Sequence, residues 1–397
     1  MVLGQIAGQA RNDRKRQARN DKKSQARNSG IAGDSRSEQE GWNGANRSVR
    51  GHLRNRTAMR EPAAKSFWVV LAAIILLASI IAAVTIGPAD ISVTDVFRSI
   101  GYHLHLTAAT PERLADATVW QLRLPRVLTA AAVGAGLAIS GVVMQALTRN
   151  PLADPYLLGL SSGASLGASL VLIIGVTALL PVAAFIGATA ALVATLALAT
   201  AAGRGTLAPA RTLLAGLAVG QLASALTSLV IFMAARGDQY REILGWLLGS
   251  LAGSNWASVL VTGVAALVIG TLLALTGSLL DGFAFGDDAA ASLGISVQKV
   301  RWVLLIAVAL LTGALVSQSG AIGFVGLILP HGVRLLTGAK HRLLLPLGAL
   351  VGASFLVWAD TIARTIFAPQ ELPVGIVTAA IGAPAFAALL WRERSVR

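Results

Sequence analysis

The 397-residue chain contains no cysteine, which excludes disulfide staples, thiolate zinc sites and cysteine nucleophiles. Charge is scarce too: 13% of residues are Asp, Glu, Lys or Arg, and only 5% are aromatic. A soluble domain carries about 25% charged residues, so water is not the main solvent of this molecule. Nucleotide-binding and zinc-protease signatures are also missing, with no Gly-x-x-x-x-Gly-Lys-Ser/Thr loop and no His-Glu-x-x-His. Any use of ATP therefore calls for another chain, and this one reads as a non-enzyme that binds no cofactor itself. The five histidines are scattered. His331, behind Pro330 in an apolar run, is expected to pack or to face a passage rather than to hold a metal, so no metal site is expected.

What fills the chain instead is apolar sequence, 55% of residues with a mean hydropathy of +0.68. Runs long enough to cross about 30 Å of hydrocarbon recur from residue 67 onward. They predict ten spans, at 67–86, 127–147, 157–176, 178–201, 213–234, 258–280, 302–317, 322–337, 343–366 and 374–391. The expected fold is all-α and polytopic. The mixed stretch 87–121 reads as an external loop holding a short interfacial helix, and 243–251 as a helix too short to cross. The first run lacks a small-residue cleavage pattern and is expected to stay in the mature protein. Basic turns at Arg204 to Arg211, at Lys340 to Arg342 and at Arg392 to Arg397 fall repeatedly on one side. By the positive-inside rule that side is cytoplasmic, and both termini lie there.

Most of the formal net charge of +14 sits in the first 65 residues. There Gln9-Ala-Arg-Asn-Asp13, Gln17-Ala-Arg-Asn-Asp21 and Gln25-Ala-Arg-Asn28 repeat every eight residues. With almost no large apolar residues this segment cannot offset the entropy of ordering, and residues 1–65 are expected to be a disordered basic tail. The tail is read as solvated and weakly attracted to anionic lipid, with no nucleic-acid partner. Met59, just ahead of the first run, is an alternative start. Residues 66–397 form the membrane domain.

Ionisable residues within the spans are few, which argues against a self-sufficient proton-coupled carrier. The interval from Asp281 to Arg301 is the longest polar stretch inside the membrane body. It reads as two short helices split by Gly294, acidic at the first N-terminus and basic at the last C-terminus, and it suits either a docking element or a solvated loop.

Several stretches together resemble the permease subunit of type II ABC importers, the family that takes up ferric siderophores, haem and cobalamin. They include Arg123-Leu-Pro-Arg126, Ser140-Gly-Val-Val-Met-Gln145, Asn150-Pro-Leu-Ala-Asp-Pro155, Leu158-Gly-Leu-Ser-Ser-Gly-Ala164 and Gly286-Asp-Asp-Ala-Ala-Ala-Ser-Leu-Gly294. Gly323-Phe-Val-Gly-Leu-Ile-Leu-Pro-His331, His341-Arg-Leu-Leu-Leu-Pro346, Ala359-Asp-Thr-Ile-Ala-Arg364 and Glu371-Leu-Pro-Val-Gly375 complete the set. The resemblance covers nearly all of 67–397 and none of the tail.

It implies a subunit of a bacterial plasma membrane that pairs with a second permease, usually a copy of itself, around a central passage. Two ATPase subunits on the cytoplasmic face carry ATP and Mg, and an extracellular or periplasmic substrate-binding protein docks on the other. By motif, Arg123, Arg126 and Arg364 resemble the cations that meet the binding protein. Asn150, Pro151 and Leu152, with Ala208, Pro209 and Ala210, correspond to the inner gates, although relatives favour small hydroxyl residues at the second set. Gly286, Asp287, Asp288, Leu293 and Gly294 correspond to the helices that couple to the ATPase. The cargo implied is an iron chelate, foremost a ferric siderophore, with haem and cobalamin as alternatives. A carrier or channel working without ATPase, and a membrane anchor for a complex built on the tail, are the competing classes.

Overall fold

Backbone groups in hydrocarbon have no water to bond, so each apolar run must close its hydrogen bonds within itself as a helix. The computed structural model, which describes Gln17 and residues 66–203 and 205–394, follows this throughout. Apart from Gln17, the tail expected over 1–65 lies outside the described residues, as do Arg204 and Arg397. No strand occurs among the described residues.

The helices are α1 (Ser66–Thr85), α2 (Val93–His103), α3 (Arg113–Thr148), α4 (Leu160–Ile174), α5 (Leu180–Ala202), α6 (Pro209–Ala234) and α7 (Gln239–Leu247). They continue with α8 (Trp256–Leu275), α9 (Gly277–Phe283), α10 (Asp287–Ser292), α11 (Val297–Ser319), α12 (Val325–Thr337), α13 (His341–Thr365) and α14 (Val374–Arg394). Among the described residues seven of these are long and apolar enough to cross a bilayer. The shorter apolar helices α4, α12 and α14 bring the number to ten. The protein is therefore all-α and polytopic. The short helices expected in the external loop and near residue 243 are α2 and α7.

Helix α3 is the hub, packed against α8, α11, α12 and α13. It lies close against α13: a Cβ on Gly134 would stand 2.2 Å from the carbonyl oxygen of Gly352. Only glycine lets the two backbones touch, and in lipid such close packing replaces the hydrophobic drive of a soluble core. A second group, α4, α5 and α6, packs among itself and joins the hub through α11 against α5. Large apolar side chains on the outer faces, such as Ile74 and Leu77 of α1 or Leu267 and Leu275 of α8, are exposed, as lipid contact requires.

Two local irregularities set the ends of the hub. Pro125 has no amide proton and crowds the turn before it. The chain accommodates it by widening Ala117–Arg123 into a π-helical turn, in which the Leu124 amide reaches back to Val119 O. This extends α3 well before the expected residue 127. The second irregularity is the break Gly320–Phe324 ahead of α12, where Phe324 takes a left-handed φ of 70°. Tyr156 Oη donates to Ile322 O at 3.0 Å and accepts from Ile322 N at 3.2 Å, so the broken backbone keeps both bonds. The eighth expected span, 322–337, is shortened by this break to the 13 residues of α12.

Candidate functional site

The singled-out residues gather at the two ends of α3. At its start the π-helical turn aims Arg123 at the C-terminus of α1. Its guanidinium donates to Val84 O, Thr85 O and Ala89 O at 3.0, 2.8 and 2.7 Å. These carbonyls have no partner within their own helix end, so the arginine acts as their cap. One turn on, Arg126 meets Asp360 of α13 in a fork, with Nε at 2.8 Å and Nη2 at 2.9 Å from the carboxylate. It also reaches Glu371 at 2.7 Å. Arg364, one turn beyond Asp360, donates to Ala83 O.

The three guanidiniums thus share one end of the molecule, as expected. Their exposure differs from that of free surface cations: Arg123, Arg126 and Arg364 are 5%, 8% and 4% exposed. The carbonyls and carboxylates that these groups meet offset the cost of burial at this depth. Among the described residues Arg364 Nε is buried without a hydrogen-bond partner, which leaves one donor uncommitted.

At the far end of α3, roughly 35 Å from Arg126 at 1.5 Å per residue, Arg149 closes the helix in a left-handed conformation. The turn that follows is held by Asn150, whose Oδ1 accepts from the Leu152 amide at 2.9 Å, while Pro151 and Leu152 are exposed. Asp154 then accepts from the Tyr156 amide at 2.8 Å. Burial pushes the Asp154 carboxyl up to about 6, against the opposing effect of that amide. Burial and the nearby Asp154 carboxylate likewise raise the Tyr156 hydroxyl.

The second predicted gate set opens α6. Ala208 caps the helix, its carbonyl accepting from Thr212, and Pro209 stands in the first turn, where its missing amide costs nothing. Ala210 is exposed.

The predicted coupling segment lies at this same end. Gly286 precedes α10 with φ 104°, a region closed to residues with a Cβ. Asp287 and Asp288 occupy the first turn of α10, where negative charge suits the helix dipole. The exposed Leu293 and then Gly294 end it. Gly294 splits the segment as expected, but the second half is no separate helix. Nothing between Val297 and Ser319 breaks the backbone, so Gln298, Lys299 and Arg301 belong to the first turns of α11.

Four residues at this end were not singled out from sequence for what they do. Gln145 donates to Gly326 O at 3.4 Å and to Leu327 O at 3.0 Å. Pro330 lacks the amide that would have bonded Gly326 O within α12, so Gln145 supplies a substitute donor from the neighbouring helix. Arg334 in turn donates to Gln145 Oε1 at 3.3 Å. Gln298 and Arg301 both reach back to the loop before α6. Their spacing of three on one helix face was the available signal.

The strings Gly159-Leu-Ser-Ser-Gly163 and Gly163-Ala-Ser-Leu-Gly167 have nucleophile-elbow spacing, but they lie within or at the start of α4 with no strand before them. No group of three or more metal-ligating side chains occurs among the described residues.

Comparison with known proteins agrees with this geometry. The model of the FecCD transport family matches residues 75–392. The uncharacterized ABC transporter permease protein YvrB of Bacillus subtilis (strain 168) is 41% identical over 330 residues, covering 80% of this chain and 91% of that one. The vitamin B12 import system permease protein BtuC of Vibrio cholerae is 44% identical over 283 residues, 70% of this chain and 84% of its own. The hemin transport system permease protein HmuU of Yersinia pestis is 42% identical over 292 residues, 70% and 85% of the two chains. Among solved structures, a transporter described as of metal-chelate ABC type, in an inward-facing conformation, superposes with a TM-score of 0.71. It is 32% identical and covers 82% of this chain and 98% of its own.

Proposed function

Since this chain belongs to the FecCD transport family, permeases of ABC importers, we propose that it carries a ferric siderophore inward through a bacterial plasma membrane, powered by separate ATPase subunits. The single observation that carries this reading is the separation of two built ends by the length of α3. One end gathers three arginines against two carboxylates, and the other carries the short acidic helix α10 beside two turns.

The α10 end, with Gly286, Asp287, Asp288, Leu293 and Gly294, docks on two ATPases that hold ATP and Mg in the cytoplasm. Asn150 to Leu152 and Ala208 to Ala210 are the gates on that side, and both termini lie there. The arginine end faces a substrate-binding protein outside. In the free chain Arg123, Arg126 and Arg364 hold that end together. Docking through them exchanges internal partners for acidic groups of the binding protein. A second copy of the chain completes the passage. A binding protein would steer by such charge pairs more than it would be tightened by them.

Haem and cobalamin are the alternative cargoes, favoured by relatives named for hemin and vitamin B12. The test is uptake into proteoliposomes holding this chain, its ATPase and its binding protein. ATP-dependent entry of a ferric siderophore, not competed by haem or cyanocobalamin, is the expected result. Entry of cobalamin or haem alone would reassign the cargo, and uptake without ATPase would overturn the importer reading.

A further inference from the structure

The loop before α6 is gripped by one face of α11, and the grip ends on α10. Leu207, fully buried, offers one amide and one carbonyl. The amide donates to Gln298 Oε1 at 3.1 Å, and the carbonyl accepts from Arg301 Nη1 at 2.9 Å. Both free backbone groups of one residue are thus taken by side chains one helical turn apart.

Arg301 is itself 2% exposed. Its other terminal nitrogen, Nη2, meets both oxygens of Asp287 at 2.9 and 3.0 Å, and its guanidinium carbon lies 5.7 Å from the centre of the Phe283 ring. One rigid planar group therefore joins the last residues of α9, the first residue of α10 and the backbone of the loop. A guanidinium fork held on three sides has little freedom to shift without breaking charge-assisted bonds.

The first turn is joined to the same carboxylate far more loosely. Arg149 Nη2 stands 3.9 Å from Asp287 Oδ1, with both side chains partly in solvent. An ion pair of that kind is screened and contributes little.

From this asymmetry, and resting on the assignment of α10 as the ATPase-docking element, we propose that Arg301 and Gln298 are positioning residues that make the loop 206–208 and α10 one mechanical body. The turn 150–152 follows α10 only through the loose Arg149 contact. Displacement of α10 is then delivered directly to the entrance of α6, and the two gates respond unequally. Arg301 touches no cargo; it acts through the loop.

The chain has no native cysteine, so pairs of introduced cysteines can carry spin labels without background. The full chain is assembled with its ATPase in nanodiscs, with labels at Ala210 and Ser292 in one preparation and at Leu152 and Ser292 in another; all three sites are exposed. Between nucleotide-free and nucleotide-bound states the Ala210 to Ser292 distance distribution is expected to stay unchanged, while the Leu152 to Ser292 distribution moves. A change in the first pair, or no change in the second, overturns the proposal.

Arg301→Met should broaden the first distribution and lower uptake roughly ten-fold at little-changed ATP hydrolysis. Arg301→Lys, which keeps the charge but not the fork, should fall between. An unaltered first distribution in both variants would overturn the role of Arg301. Failure of the importer reading would be seen separately, as absence of ATP-dependent uptake by the unsubstituted chain in proteoliposomes holding its ATPase and binding protein, where the uptake of the variants is also measured.

Discussion

Arg126 and Asp360 are 234 positions apart and meet inside a membrane domain with nothing but protein around them. Asp360 is 1% exposed, so the pair stands or falls together. Replacing one member leaves an ion with no water, whereas replacing both by apolar groups of similar volume is close to neutral. Arg126→Met should therefore lower stability by about 3–5 kcal/mol, read as thermal unfolding of the purified protein. Arg126→Met with Asp360→Met should recover most of the loss. Recovery absent from the double variant would mean that the geometry of the fork, and not relief of a stranded charge, is what Arg126 provides. The same reasoning extends to charge reversal at Arg123 or Arg364. Both cap buried carbonyls, so reversal weakens folding as well as any docking at that end. The motif resemblance put these arginines together on one face. It could not show their burial, because the carbonyls and carboxylates that permit it belong to other helices.

The helices were legible where an unbroken run of about 20 apolar residues left the backbone no alternative. They were least legible where a partner on another element compensates a local fault. The π-helical turn before Pro125 and the break at Phe324 are such places. The first is invisible to hydropathy, and the second is made tolerable by Tyr156, 166 positions away from Ile322. Two predictions belong to this scale. Gly134→Val would drive a side chain into the backbone of α13 and should separate the two hub helices, seen as loss of monodisperse protein. Gly263→Val on α8, where a Cβ meets open space, should be tolerated. The second concerns the turn after α3. Asp154 has its carboxyl raised on folding from an ordinary 3.8 to about 6. A raised acid stabilises the fold below its unfolded value, and that contribution is lost as pH climbs from about 4 through 6. Wild-type thermal stability should thus decline between pH 4 and pH 6 by more than that of Asp154→Asn, which keeps the capping oxygen but cannot ionise. Parallel pH profiles of the two proteins would remove Asp154 as the cause.

At the scale of the whole molecule the argument is one of opposite ends. Energy enters a transporter of this family through one face and cargo through the other, so the two sets of residues must be held apart and yet be joined by something stiff. Helix α3 meets both demands: it passes Arg123 and Arg126 at one end, stops at Arg149 beside Gly286 and Asp287 at the other, and is buried along most of the stretch between. The order of the motifs along the chain already implied this arrangement, because an even number of crossings separates like ends. The loop before α6 was harder to read, since Leu207 is gripped through its backbone, which carries no residue signature. Orientation can be tested without any partner protein. In right-side-out vesicles a single cysteine at Ser292, on the α10 end, should react with a membrane-impermeant maleimide only after the bilayer is opened. A single cysteine at His105, between α2 and α3, should react at once. If both sites react from the same side, the hub does not separate two faces, and the assignment of α10 to the ATPases and of the arginine end to the binding protein is lost together.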